Sequence, residues 1–145
     1  MIEPLIRAAG SEDTAALAEL FRRSSLSNEG DRPSLLAHPE ALELSGFAVE
    51  EGRVRVAVAD GRIVGFATLL EGELEDLFVD PGWMRRGIGR ALVEDAVAVA
   101  RAQGLERIEV IANDHALGFY ERLGFVLDGP AETAFGRGSR MHLAC

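Results

Sequence analysis

The chain is predicted to fold as an α/β protein of the mixed, α+β kind. We expect a central, mostly antiparallel sheet of six to seven strands with helices on both faces. Three observations predict it. Apolar runs of strand length are separated by Asp60-Gly61 and Glu71-Gly72, dipeptides that favour tight hairpins. From residue 80 onward, segments with helical apolar spacing alternate with strand-like ones. The resulting order is β-α-α-β-β-β-α-β-α-β-β, with no repeats, low-complexity stretches or linkers.

In chain order, Leu5-Ile6-Arg7-Ala8-Ala9 reads as a first strand. Ser11 is the expected N-cap of the first helix, with Glu12 and Asp13 favouring its dipole. Ala15, Leu17, Leu20 and Phe21 form its apolar face, and it ends near Ser24. Ser27-Asn28-Glu29-Gly30 reads as a loop and Pro39 to Leu44 as a short helix. Strands follow at Val54 to Ala59, Ile63 to Leu70 and Leu74 to Val79. The next helix buries Ile88, Leu92, Ala96 and Val99 and stops at Gly104. Ile108 to Ile111 is a strand, and a helix follows from Asn113 until Gly124. The last two strands are Phe125-Val126-Leu127 and Arg140 to Leu143, with a loop from Asp128 to Ser139 between them.

With 145 residues, 48% hydrophobic and 27% charged, the chain reads as one soluble domain, residues 1–145, with a sizeable core. No apolar run has the length of a membrane span and Met1-Ile2-Glu3-Pro4 does not read as a signal peptide, so a cytoplasmic location is expected. Cys145 is the sole cysteine, which excludes an internal disulfide. His38 and His142 stand apart in sequence, and no metal site is expected. The net charge of −9 disfavours nucleic acid as a partner.

Against that acidic background, Arg85-Arg86-Gly87-Ile88-Gly89-Arg90 is basic and opens a helix. Backbone N–H groups at a helix start lack intrahelical partners and carry the positive end of its dipole. Glycines there let a bulky anion approach the backbone. The run is therefore a candidate pyrophosphate cradle. It is not a Walker loop, which needs Gly-x-x-x-x-Gly-Lys-Ser/Thr. A dinucleotide fingerprint would need glycine where Leu92 stands, and the seven residues Asp80 to Arg86 are too many for its tight turn. Glu109 lies where a ribose-binding acid would be sought, but mid-strand rather than at a strand end.

A second segment follows about twenty residues later, Asn113-Asp114-His115-Ala116-Leu117-Gly118-Phe119-Tyr120-Glu121-Arg122-Leu123-Gly124-Phe125. The two motifs, in this order and spacing, resemble the GNAT superfamily of acyl-coenzyme A-dependent N-acetyltransferases over about residues 46 to 144. That resemblance implies a GNAT-like fold and transfer of an acetyl group from acetyl-coenzyme A to a primary amine of a small molecule or peptide. Direct attack in a ternary complex is expected, with no acyl-enzyme and no metal. The sequence departs from the family at Met84, where Gln or Arg is usual, and at Arg85, often Gly. Because the cradle is mainly backbone, altered affinity rather than loss of binding is expected.

The resemblance assigns pyrophosphate binding to Arg85, Arg86, Gly87, Ile88, Gly89 and Arg90. It assigns the pantetheine arm to the main chain of Leu77, Phe78 and Val79, and places Asn113 and Ala116 beside the cofactor. Asn113 also reads as an N-cap and Ala116 as a core alanine. Tyr120 holds the family's general-acid position and would protonate the departing thiolate; otherwise it is a core aromatic beside Phe119 and Leu123. An amine with pKa ~10.4 must lose a proton at a cost of roughly 4–5 kcal/mol near neutrality. Glu75, then Glu73, is the candidate base, both alternating onto the face shared with Leu77 and Val79; Asp76 points the other way. His115 beside Asp114 is expected to be exposed, Trp83 to pack under the loop, and Phe125 to be core. The acceptor would be shaped by about residues 24 to 45 and 128 to 139, and the last strands would allow a homodimer. Two rival readings are a coenzyme-binding sensor without chemistry and a toxin-type acetyltransferase acting on aminoacyl-tRNA, the latter opposed by the acidic balance.

Overall fold

The computed structural model describes residues 4–26, 49, 52–114, 116–133 and 136–145. The expected loop at Ser27 to Gly30, the expected helix at Pro39 to Leu44 and the position of His115 lie outside these residues. The described strands are β1 (Leu5–Ala8), β2 (Val54–Ala59), β3 (Arg62–Leu70), β4 (Glu73–Val79), β5 (Arg107–Ala112), β6 (Val126–Thr133) and β7 (Gly136–Ala144). The α-helices are α1 (Thr14–Leu26), α2 (Ile88–Ala102) and α3 (Leu117–Arg122), with 3-10 turns at Ser11–Asp13 and Pro81–Trp83. The seven strands hydrogen-bond in the order β1-β2-β3-β4-β5-β7-β6. β4 and β5 run parallel, whereas β1–β2, β2–β3, β5–β7 and β6–β7 run antiparallel. The sheet is mixed and mostly antiparallel, as expected. No described helix is long and apolar enough to cross a membrane.

The residues gather into two compact units, Met1–Thr68 with Asp76–Val93, and Leu69–Glu75 with Glu94–Cys145. In the first, Leu17, Leu20, Val54, Val56 and Phe66 are buried together. Phe21 of α1, Phe66 of β3 and Phe78 of β4 interlock, their ring centroids 5.0–6.4 Å apart. Such aromatic pairs add roughly 0.5–1.5 kcal/mol each beyond area burial. Ala15, expected on the buried face of α1, is exposed, because that face is carried by the row through Leu17, Leu20 and Phe21.

Adjacent residues of a strand point to opposite faces, and β3 uses both. While Phe66 meets α1, a Cβ on Gly65 would lie 2.9 Å from Ile88 Cγ2, 3.2 Å from Leu92 Cδ1 and 3.0 Å from the Phe78 carbonyl oxygen. Glycine here lets the first turns of α2 sit directly on the sheet, so helices cover both faces. Gly65→Val is expected to lower stability by about 1–3 kcal/mol through overpacking, a drop of roughly 3–10 °C in thermal midpoint. An unchanged midpoint would show that α2 can move away without cost.

The start of α1 differs from expectation. The cap is not Ser11: Asp13 turns back, and its Oδ2 accepts the Gly10 N–H at 2.9 Å. Arg7 donates to both Asp13 oxygens, at 2.8 and 3.2 Å. Arg7, then the Gly10 amide, holds the Asp13 carboxyl below its ordinary value of 3.8. A carboxylate with a depressed folded pKa stabilises the fold fully above its unfolded value and loses that contribution as pH falls through the folded one. Below about pH 3.8 the wild type should therefore lose stability more steeply than Asp13→Asn. Parallel acid limbs in thermal melts would show that the pair does not contribute.

In the second unit the turns chosen from sequence hold. Glu71 (φ 49°) and Gly72 (φ 85°) place two left-handed residues between β3 and β4, the requirement of a type I′ hairpin. Gly104 (φ 80°) ends α2, with Leu105 N–H donating to the Ala100 carbonyl at 3.0 Å. Gly124 (φ 100°) ends α3 in the same way, Phe125 N–H donating to the Tyr120 carbonyl at 3.1 Å.

The expected loop from Asp128 to Ser139 is a correction. β6 and β7 form a long hairpin in which Pro130 pairs with Ser139 and Ala131 with Gly138. Gly129, Pro130 and Gly138 read as loop chemistry. β6 lies at the end of the strand order, where a proline costs no ladder bond, and a register shift between Leu127 and Gly129 accommodates Asp128. His142 holds that irregularity, its Nδ1 lying 2.8 Å from both Asp128 oxygens.

Candidate active site

The site residues fall into two sets, one in each unit. In the first unit β4 leads into the turn Pro81–Trp83, then a short loop to α2. The Asp80 N–H donates to the Val64 carbonyl at 2.8 Å, and the Asp80 carbonyl accepts the Trp83 N–H at 2.8 Å. Its Oδ1 accepts the Gly82 N–H at 3.0 Å, and Arg23 of α1 donates to its Oδ2 at 2.6 Å. The loop therefore starts from a fixed point. Trp83 is 8% exposed, the packing role expected of it. The Arg86 guanidinium carbon lies 4.9 Å from its ring centroid and that of Arg62 5.9 Å away, within cation–π range.

The cradle itself is open. Ala91 N–H donates to the Gly87 carbonyl at 3.0 Å, so Gly87 is the cap residue, and the amides of Ile88 and Gly89 belong to the turn that lacks intrahelical acceptors. Gly87 has φ 82°, and a Cβ added there would meet none of the described residues within 4 Å. Arg85, Arg86 and Arg90 are exposed. Arg85 takes φ 63°, a left-handed conformation that glycine adopts without strain. Met84 is 58% exposed and takes no part in the core. Ile88 is buried, so any contact it makes with an anion would be through its amide and not its side chain. Backbone donors, a helix N-terminus and exposed cations at one open place fit a polyphosphate.

Phe78 is committed to the aromatic core by its side chain, so a cofactor would meet only its main chain. Leu77 and Val79 are partly buried beside it.

In the second unit Tyr120 is 6% exposed. Its ring stands edge-on to Phe119 and Phe125, both at 5.1 Å between centroids. Phe125 is core, as expected. Asn113 acts as a cap, its Oδ1 accepting the Ala116 N–H at 3.0 Å, although the residue that directly precedes α3 is Ala116. Ala116 is partly buried. Glu73 pairs in parallel register with Glu109, and Leu74 with Val110. Glu73 is partly buried and Glu75 exposed. No group of three or more His, Cys, Asp or Glu residues able to hold a metal occurs among the described residues.

Sequence reasoning missed Asp80 and Arg23. Asp before Pro at a turn start is a capping signal that would have found Asp80. Nothing local points to Arg23, 57 residues away.

Here a strand, an open glycine turn and an amphipathic helix follow one another in the chain. The acetyltransferase (GNAT) family model matches residues 14–125. The chain belongs to that family and is by class an acyl-coenzyme A N-acyltransferase.

Peptidyl-lysine N-acetyltransferase YjaB of Salmonella typhimurium is 34% identical over 129 residues, covering 88% of this chain and 87% of that protein. Glucosamine 6-phosphate N-acetyltransferase of Trypanosoma brucei brucei is 36% identical over 76 residues, 45% of this chain. That match spans about half, 52%, of the trypanosome protein. Among solved structures, a GCN5-related N-acetyltransferase from Rhodopseudomonas palustris superimposes with TM-score 0.82 at 25% identity, covering 100% of this chain and 99% of that one. The PaiA N-acetyltransferase of Thermoplasma acidophilum, solved with coenzyme A, gives TM-score 0.78 at 19% identity, over 99% of this chain and 100% of that one.

Proposed function

We propose that the chain works as a single N-acetyltransferase domain, residues 1–145, that moves the acetyl group of acetyl-coenzyme A to a primary amine of a small molecule or peptide. The observation that carries this reading is the open turn at the start of α2, with Gly87 at φ 82° and space above it. Acetyl-coenzyme A supplies an activated thioester. The amides of Ile88 and Gly89, with Arg85, Arg86 and Arg90, hold its pyrophosphate, and the main chain of Leu77, Phe78 and Val79 takes the pantetheine arm. The family resemblance assigns Asn113 and Ala116, in the second unit, to the cofactor as well.

Backbone amides near Val79 polarise the thioester carbonyl. The amine attacks that carbon, forming the C–N bond as the C–S bond breaks. Tyr120 gives its proton to the sulfur, and Glu75, or Glu73, accepts the proton of the amine directly or through water. Protonation of a leaving group by a positioned side chain is worth 10²–10⁴-fold. Peptidyl lysine is the acceptor to test first, since the relative matched over 87% of its length is named for it. Amino sugar phosphates come second.

The test is calorimetric titration with acetyl-coenzyme A, followed by thiol release in the presence of lysine peptides, glucosamine 6-phosphate and simple polyamines. Binding with turnover of any amine supports the enzyme. Binding without turnover across such a panel favours the sensor reading, and absence of binding overturns the cradle assignment.

A further inference from the structure

We infer that Arg23 and Asp80 form a positioning pair that fixes the anion cradle for its ligand, an inference that rests on the acetyl-coenzyme A reading of that cradle. Neither residue is placed at a reacting atom. Asp80 is where four hydrogen bonds converge: its amide to β3, its carbonyl to Trp83, one carboxylate oxygen to Gly82 and the other to Arg23. The first fixes the turn Pro81–Trp83 to the sheet, and the next two close the turn on itself. The fourth ties it to α1, an element far away in sequence.

The geometry favours a working pair over an incidental surface contact. Asp80 is 18% exposed at its side chain and Arg23 45%, so the carboxylate is largely withdrawn from water while the guanidinium reaches it from the rim. A charge-assisted bond of 2.6 Å is among the stronger ones a side chain makes. Arg23 lies in the last turn of α1, where the helix dipole already favours a cation, and Glu19 one turn earlier steadies it at 3.3 Å. From Asp80 the chain runs through Trp83, packed under Arg86, to the left-handed Arg85 and Gly87. Those two residues hold left-handed backbone angles, φ 63° and 82°. A loop with strained positions keeps them only if its ends are anchored, and Arg23–Asp80 is the anchor supplied by α1.

The test is a double-mutant cycle on coenzyme A affinity, measured by calorimetry for wild type, Arg23→Met, Asp80→Asn and the double variant, with Arg23→Lys as the conservative control. Asparagine can still accept the Gly82 amide, so Asp80→Asn removes the ion pair and keeps the turn. Each single change should weaken coenzyme A binding by about 5–20-fold, and the double variant should be no worse than the weaker single one, as expected of residues acting as a unit. Arg23→Lys should return affinity to within about threefold. In protein without coenzyme A, acrylamide should quench the fluorescence of Trp83, the sole tryptophan, more readily in Arg23→Met than in wild type. Wild-type affinity in both single variants, or losses that multiply in the double, would overturn the pair as a positioning device. A wild type that does not bind coenzyme A would instead overturn the reading of the cradle, and this inference with it.

Discussion

Gly87→Glu is expected to weaken acetyl-coenzyme A binding by about 100-fold or more while leaving a folded protein. Two effects add. Gly87 has φ 82°, and a side chain there costs roughly 1–2 kcal/mol in backbone strain, worth a few degrees in thermal midpoint. The larger effect is on the ligand. The new carboxylate would stand in the open space at the helix start, where a pyrophosphate is to lie, and like charges replace a favourable dipole contact. About 3 kcal/mol of lost interaction is 100-fold or more in affinity. Gly87→Asn separates the causes, because asparagine tolerates the left-handed region and adds no charge. It should bind more weakly than wild type and clearly better than the glutamate variant. Equal affinity for wild type and Gly87→Glu would place the pyrophosphate elsewhere.

Tyr120→Phe should lower kcat by about 10²–10³-fold with KM for acetyl-coenzyme A changed by less than threefold. The ring is held edge-on between Phe119 and Phe125, contacts that phenylalanine keeps. A selective loss of kcat reports an interaction made in the transition state alone. The profile against thiol leaving-group basicity adds a second reading: an enzyme lacking its acid should favour acyl donors whose thiols leave without a proton. A kcat within twofold of wild type would make Tyr120 a core residue and send the search for the proton donor to water.

Legibility in the sequence followed the range of the forces involved. The turns at Asp60-Gly61 and Glu71-Gly72 and the helix stops at Gly104 and Gly124 were readable because a left-handed backbone leaves a mark in the residue itself. The turn that opens α2 was readable for the same reason, Gly87 there having φ 82°. Residues 128 to 139 pair as strands although Gly129, Pro130 and Gly138 favour turns, because β6 lies at the end of the strand order, where such residues do least harm. At the start of α1 the cap is Gly10 instead of Ser11, its amide bound by the Asp13 carboxylate that Arg7 of β1 also holds. Arg23 had no local mark at all: its role depends on a neighbour far along the chain that only folding supplies. The candidate base stands apart from these cases, since choosing between Glu73 and Glu75 depends on a bound amine.

The irregular edge of the sheet has a bearing on how the protein behaves in a crowded solution. Unpaired strand edges are templates on which other chains can zipper into aggregates. Here β1 is four residues long, too short to seed a ladder. β6 is longer and exposes Val126 and Leu127, but its register breaks immediately after them and Pro130 offers no N–H to an incoming strand. The same irregularity that hid this hairpin from sequence analysis thus protects the chain from self-templated stacking at high concentration.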